Sequence, residues 1–497
     1  MKQRLLTFAP LLLLYFSGMG QQQVSLEQCR QMALEHNQRI KIAAEQTGAA
    51  DALQKSAKTQ FFPSISANGL YTRTNKKYSL LSEDMFIPVV PFSAIDPTTG
   101  QLNGSILDPQ SPNFDPSVFT NTFQLNPATG QPLYDKDGNP VFQKYAWIPK
   151  DKAEFGAKNI FAAGVTLTQP IYLGGKIRET YKMAGYGKRA AQASERVEQS
   201  EVLYQTEESY WRLVSLKEKV TLVKSYVALL EKLNGDLDNL YAEGIIIQND
   251  KLKATVKLNE AQLNLVKAEN GYRLSQMALC QVVGLPLSTM VEPTDTLGVA
   301  IPLQGTDALI DSALLNRPEI DMLDQTVNIA QSGVNIMRSR YLPNIGLTAN
   351  YMYMNPNPYN GMKEEFGGDW NVGVAINIPI FHWNDRAHTL RAAKHEHAVA
   401  QLKKEEATEL ITLQVQQAMF KVSESAKRIE MAQENLKKAT ENLRVATDAF
   451  DSGMLKATDV LEAQALWQDA YSTLIDARME ARLNEVFLRK ATGVKIR

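Results

Sequence analysis

The sequence predicts a mainly helical protein with a small strand-built part suited to a membrane, and it predicts that fold twice over. Three observations carry this. The turn-like stretch "YAEGIIIQNDKLKAT" (241–255) returns as "FDSGMLKATDVLEAQ" (450–464), with a Gly at the fourth place and an Asp at the tenth of both. Apolar residues before each turn recur at alternating steps of three and four, the seam of a coiled coil. Four stretches of about ten residues alternate apolar with small or polar side chains, the period of a strand.

The bulk properties set limits. The chain has 497 residues, 44% hydrophobic and 22% charged, enough for a packed core. A net charge of −1 gives no basic footprint for nucleic acid. Two Cys exclude a disulfide scaffold and any four-Cys metal site. Residues 1–20, "MKQRLLTFAPLLLLYFSGMG", have a basic start, an apolar run and small residues at Gly18 and Gly20. They read as a secretory signal peptide cleaved before Gln21. "SLEQ" before Cys29 is polar, so no lipid anchor is expected. No later segment is apolar enough to span as a helix. An exported chain of this kind enters a membrane only with strands.

The repeats fix the order of elements. "TQFFPSI" (59–65) pairs with "SRYLPNI" (339–345), and "GVTLTQPIYLGGKIR" (164–178) with "GVAINIPIFHWNDRA" (373–387). The first copy, 21–290, opens on a helix over 26–60. Strands follow at about 64–74 and 160–171, then a helical hairpin over 176–283. The stretch 291–307 is a linker. The second copy, 308–497, has strands at about 344–354 and 369–380 and a hairpin over 386–491. In the first hairpin the seam is Leu213, Leu216, Val220, Val223, Val227, Leu230, Asn234, Leu237 and Tyr241; Val422 to Phe450 repeat it. Each long helix would measure roughly 100 Å. Half-length helices on either side of the strands and the turn are sized to stack end to end along it.

Between its strands the first copy carries an insert, 76–158, holding 10 of the chain's 21 Pro. It reads as a long irregular loop. "DKDGNP" within it lacks the Glu of a calcium loop and reads as a turn.

In the second copy the apolar strand positions are Ile345, Leu347, Tyr351, Trp370, Val372, Val374 and Ile376. One apolar face with aromatics near an end fits a transmembrane β-barrel. A soluble half-buried hairpin fits the alternation equally well. If the strands do enter lipid, four cannot close a barrel, since about eight is the minimum. Open edges are not tolerated there, so that reading forces oligomerisation.

"RPEI" (317–320), "YLPNI" before a strand, "QPIY" and "IPIF" closing strands, and Gly453 with "TDVLEAQ" resemble the TolC family of outer-membrane efflux proteins. The likeness covers nearly the whole chain after the signal segment, duplication included. It implies a homotrimer with a twelve-stranded outer-membrane barrel continued by a long helical barrel in the periplasm. It implies a passive exit duct for efflux or type I secretion, working with a periplasmic adaptor and an inner-membrane pump. The tips Gly244, Ile245, Ile246, Gly453, Met454 and Leu455 would dock the adaptor. Asp459 and Glu462, one helical turn apart, and Asp250 at the place equivalent to Asp459, would form acidic rings at a periplasmic gate. Lys251, Lys253 and Lys456 are candidates to relieve their repulsion. The plainer role for these acids is to favour a helix N-terminus.

No nucleophile elbow, phosphate loop, dinucleotide fingerprint or zinc-protease motif is present, and no enzyme activity, cofactor or metal is expected. His382, His388, His395 and His397 cluster, but a solvated helix face accounts for them. Cys29 and Cys280 fall near helix ends and leave pairing open. A competing reading is a periplasmic coiled-coil scaffold or adaptor without a pore. An adaptor would carry a lipoyl-like or β-barrel hairpin module and would have no need of lipid-facing aromatics.

Overall fold

The protein is described by a computed structural model that covers residues 22–75, 77–155, 157–298 and 306–494. The signal segment and part of the linker, 299–305, lie outside the described residues. The elements run β1 (Gln22–Val24), α1 (Leu26–His36), α2 (Gln38–Thr59), β2 (Ser64–Arg73), β3 (Tyr78–Ser79), β4 (Met85–Pro88), α3 (Gly104–Leu107), α4 (Pro116–Thr122), β5 (Tyr145–Ile148), β6 (Glu154–Phe155) and β7 (Asn159–Leu173). Then come α5 (Lys176–Ala242), α6 (Gln248–Val283), β8 (Val291–Pro293), α7 (Thr306–Asn316), α8 (Pro318–Ser339), β9 (Asn344–Asn355), β10 (Gly367–Asn377), α9 (Asp385–Asp451) and α10 (Ala457–Ala491).

Two compact units result, and they do not follow the two sequence copies. One holds the long and half-length helices of both, with β1 and β8; the other holds 61–172 and 344–377, the long strands of both together with the insert.

In the helical unit α5 and α9 are each 67 residues long, about 100 Å at 1.5 Å per residue. Along α5 lie α6 and then α1 and α2; along α9 lie α10 and then α7 and α8. The helices pack in the order α6, α5, α10, α9 in one half and α2, α5, α8, α9 in the other. The seam residues Leu213, Val227, Leu230 and Leu237 are buried, as are Val422, Ser425, Ile429, Ala432 and Ala446.

The helix expected over 26–60 is two helices, and the half-helix of the second copy has an extra helix, α7, before it. The break falls at Asn37, whose backbone is extended (φ −63°, ψ 131°). Asn37 Oδ1 accepts the Arg39 N–H at 2.8 Å, and its Nδ2 donates to the Val282 carbonyl at 2.7 Å. One side chain thus caps the start of α2 and the end of α6. Arg317 makes the equivalent break, with Pro318 preset for the first position of α8.

Around this junction the largest core cluster gathers Cys29, Val202, Tyr210, Leu213, Leu279, Cys280 and Val291. β1 pairs in parallel with β8, which tethers the start of the linker to the N-terminal strand. Both thiols are free and buried, and burial pushes that of Cys29 up to about 12.

In the other unit the sheet order is β10-β9-β7-β2. The insert is not an irregular loop. It folds around its own small core of Ala94, Leu107, Val118, Phe119 and Phe123. Asp115 caps α4 by accepting from Ser117 N and Val118 N, and Pro116 starts that helix. The Pro content that suggested a loop is spent on such starts and on turns. In "DKDGNP", Asp135 Oδ1 accepts from the N–H groups of Asp137 and Asn139, which makes it a turn.

Candidate functional site

Two places carry the expected functional residues: the sheet and the helical tip. In the sheet, Ile345 stands opposite Ile376, Leu347 opposite Val374, Ala349 opposite Val372 and Tyr351 opposite Trp370. Directly opposed residues of an antiparallel pair share a face, so all seven apolar positions read from the sequence fall on one side. The other side is small or polar apart from Met352 and Met354 at one end of β9. There Asn350 Nδ2 donates to Asn371 Oδ1 at 3.0 Å, and Thr348 stands opposite Gly373. β2 and β7 repeat the pattern. Ile65 faces Leu167, Ala67 faces Val165, and the rings of Tyr71 and Phe161 lie 4.8 Å apart. β2 is exposed along its whole length and β10 along nearly all of it. Among the described residues the sheet therefore has an apolar face, a mostly polar face and no core cluster beneath either.

At the tip the two turns are near copies. Gly244 and Gly453 both have φ of 72°, the left-handed conformation that a Gly adopts without strain. Ile245 N donates to Leu240 O at 2.9 Å, and Met454 N to Ala449 O at 2.8 Å, closing the ends of α5 and α9 alike. Beneath them Leu233, Leu237, Ala254, Ala457 and Val460 form a core shared by both hairpins.

Ile246 is half-buried, packing against that core while still lining the groove at the tip. Ile245, Met454 and Leu455 are exposed, and so is Ile247, which the sequence reading passed over. The tips border a groove of about 630 Å³ lined by Asp236, Glu243, Asp250 and Asp451 with Ile245 and Leu455.

The three gate residues do not share one environment. Asp459 occupies the third position of α10, and its Oδ2 accepts the Lys456 N–H at 3.1 Å, a helix-capping bond. Asp250 lies 3.8 Å from Lys253 Nζ and borders the tip groove. Glu462 is exposed and lines a second groove of about 730 Å³ between α6 and α10, together with Lys253, Lys257 and Glu260. Lys251 does not attend Asp250; it pairs with Asp238 of α5 at 2.8 Å. Lys456 supplies Asp459 with its backbone amide.

A family model described as "Outer membrane efflux protein" matches residues 151–285 and 309–494. The chain belongs to the outer membrane efflux protein family. Its place is the outer membrane, and its work is that of an efflux channel. The outer membrane protein TolC of Vibrio cholerae is 21% identical over 341 residues, 67% of this chain and 77% of that one. The fold of this efflux protein matches the Campylobacter jejuni CmeC outer membrane channel with a TM-score of 0.71 at 18% identity, over 94% of this chain and 85% of that one. It matches VceC of Vibrio cholerae with a TM-score of 0.69 at 15% identity, over 94% and 96%.

Proposed function

We propose that three copies of this chain close edge to edge into one continuous duct, a twelve-stranded barrel followed by a helical tube. The observation that carries this is the sheet. Its order leaves β10 and β2 as edges, and its exposed apolar face suits lipid. Unpaired edges in hydrocarbon cost several kcal/mol per group, and about eight strands are the least that close. Pairing β2 of one copy with β10 of the next removes every edge. The apolar set from Ile345 to Ile376 then faces lipid, and the Asn and Thr face lines the lumen.

The helical unit supports the same closure. Its outer helices, α6 on one side and α9 on the other, keep apolar residues exposed: Leu252, Val256, Leu263 and Val266 on α6, and Leu402, Leu413 and Phe420 on α9. Each sequence copy thus contributes two strands and one hairpin to a ring of six such units.

At the free tip, Ile245, Met454 and Leu455 form the surface for the helical hairpin of a periplasmic adaptor. Asp250, Asp459 and Glu462 ring the entrance. The duct is passive, and an inner-membrane pump does the work. Cysteines walked along β2 against Asn371→Cys in β10 test the closure. A disulfide-linked ladder ending at three copies is expected. Links that stop at two copies, or none at any register, would overturn it.

A further inference from the structure

The insert carries an apolar surface that its own core does not use. β4 and β5 form a two-stranded ribbon in which Met85 stands opposite Ile148, Phe86 opposite Trp147, Ile87 opposite Ala146 and Pro88 opposite Tyr145. None of the eight is charged. Alternation sends Phe86, Pro88, Tyr145 and Trp147 to one face and Met85, Ile87, Ala146 and Ile148 to the other. Both faces are open: Phe86 and Trp147 are each 61% exposed, and Met85 and Ile87 are exposed as well. Of the eight only Tyr145 reaches the core built on Phe119 and Phe123, through its ring contact with Phe142, and Trp147 Nε1 donates to Asp84 at 3.0 Å while its ring stays exposed. Phe92, nearby in the chain, is 86% exposed. A bare two-stranded ribbon is marginal in water, and an apolar patch of this kind marks a contact surface.

We infer that this ribbon packs against the insert of a second copy, so that three inserts meet over the outer mouth of the duct. The inference rests on the trimeric reading above, and crowding selects the occupant. A folded segment of about 80 residues has a radius of gyration of about 12 Å and so a width of roughly 30 Å. Twelve strands spaced about 4.8 Å apart and tilted about 40° enclose a barrel of about 12 Å radius. Three inserts rooted on that rim would have centres roughly 21 Å apart, less than their own width. They touch, and the ribbon, with Phe92 nearby, is an apolar surface available to bury. Each insert leaves the chain directly after β2, an edge strand that the closure sets beside the next copy. Contact between inserts therefore continues the contact between sheets. The mouth is narrowed from outside by folded protein.

The test places p-benzoylphenylalanine at Trp147 in the full chain, in outer membranes, with the β2 to β10 cysteine link run in parallel. The expected result is that irradiation yields covalent species of two and three copies. Those species should be lost when Phe86→Ser is added, while the cysteine link is kept. Phe86 lies outside the insert's core, so this variant keeps its fold. If the cysteine link forms but the photoproduct holds only lipid, or no second copy, the inference is overturned and the duct stands. If the cysteine link also fails, the trimeric reading falls and this inference with it.

Discussion

Gly284 lies against His36 so closely that a Cβ on it would sit 2.7 Å from the Cβ of His36. The second copy has the same junction, where a Cβ on Gly493 would meet Arg317 N at 3.0 Å. At both places the end of a half-length helix abuts the break between two others.

Gly284→Ala should therefore destabilise on two counts, because φ is +79° and the space is filled. Strain of that kind costs about 1–3 kcal/mol before any clash. Gly244→Ala has a similar φ with nothing within 4 Å, and should cost only about 1–2 kcal/mol. Thermal denaturation of the two variants in detergent checks the order. Equal losses would mean that the close approach is relieved.

Val374 pairs with Leu347 on the apolar face, and Asn371 with Asn350 on the other. Val374→Arg should block insertion, at about 2–4 kcal/mol near the midplane. Asn371→Arg should be tolerated, because on the proposed closure it faces water in the lumen. Outer-membrane fractionation of both variants decides this. Equal damage from both would refute the assignment of faces.

Asp459→Asn with Glu462→Gln should alter conductance, weaken cation selectivity and reduce block by divalent cations from the periplasmic side. Asn still accepts the Lys456 N–H, so the helix cap survives and a change in the pore cannot be laid to a frayed helix. Wild-type selectivity and block in the double variant would leave Asp459 as a cap alone. Leu455→Arg should abolish efflux while trimers persist in the membrane, and unchanged efflux would rule out the tip as the docking surface.

Glu207 is buried in the helical unit and accepts from Arg30 at 2.7 Å. Burial pushes its carboxyl above the usual range; Arg30 and Arg489 pull it down, and Glu485 pushes it up. A carboxyl raised in the folded state contributes stability that is full below its unfolded value and lost as pH rises through its folded value. Wild type should therefore gain melting temperature relative to Glu207→Gln as pH is lowered from about 8 to about 5. A difference that stays flat, or that shrinks on acidification, would contradict this.

What was legible in the sequence was whatever repeats with a fixed period. The seam residues Leu213, Leu230 and Ile429 are buried because a spacing of three and four puts them on one helix face. That Leu347 and Val374 lie on apolar strand faces follows from alternation. What was hidden depends on contacts between distant segments. Asn37 breaks a helix because Val282, far along the chain, offers it a carbonyl. Lys251 is held by Asp238 across the turn, so proximity in sequence to Asp250 misled. Ile246 and Ile245 are identical in kind, and only the core beneath the turn separates their roles. The insert was misread because Pro-rich composition does not reveal that Phe119 and Phe123 gather a core of their own.

On the proposed closure, this chain builds a through-going duct only as a closed trimer. Single-channel recording of the purified, detergent-extracted protein in a planar bilayer tests it most directly. The trimeric fraction should insert and pass ions in discrete steps, and the Val374→Arg protein should give none. A monomeric fraction that conducts equally well, or a trimer that never conducts from either side, would contradict it.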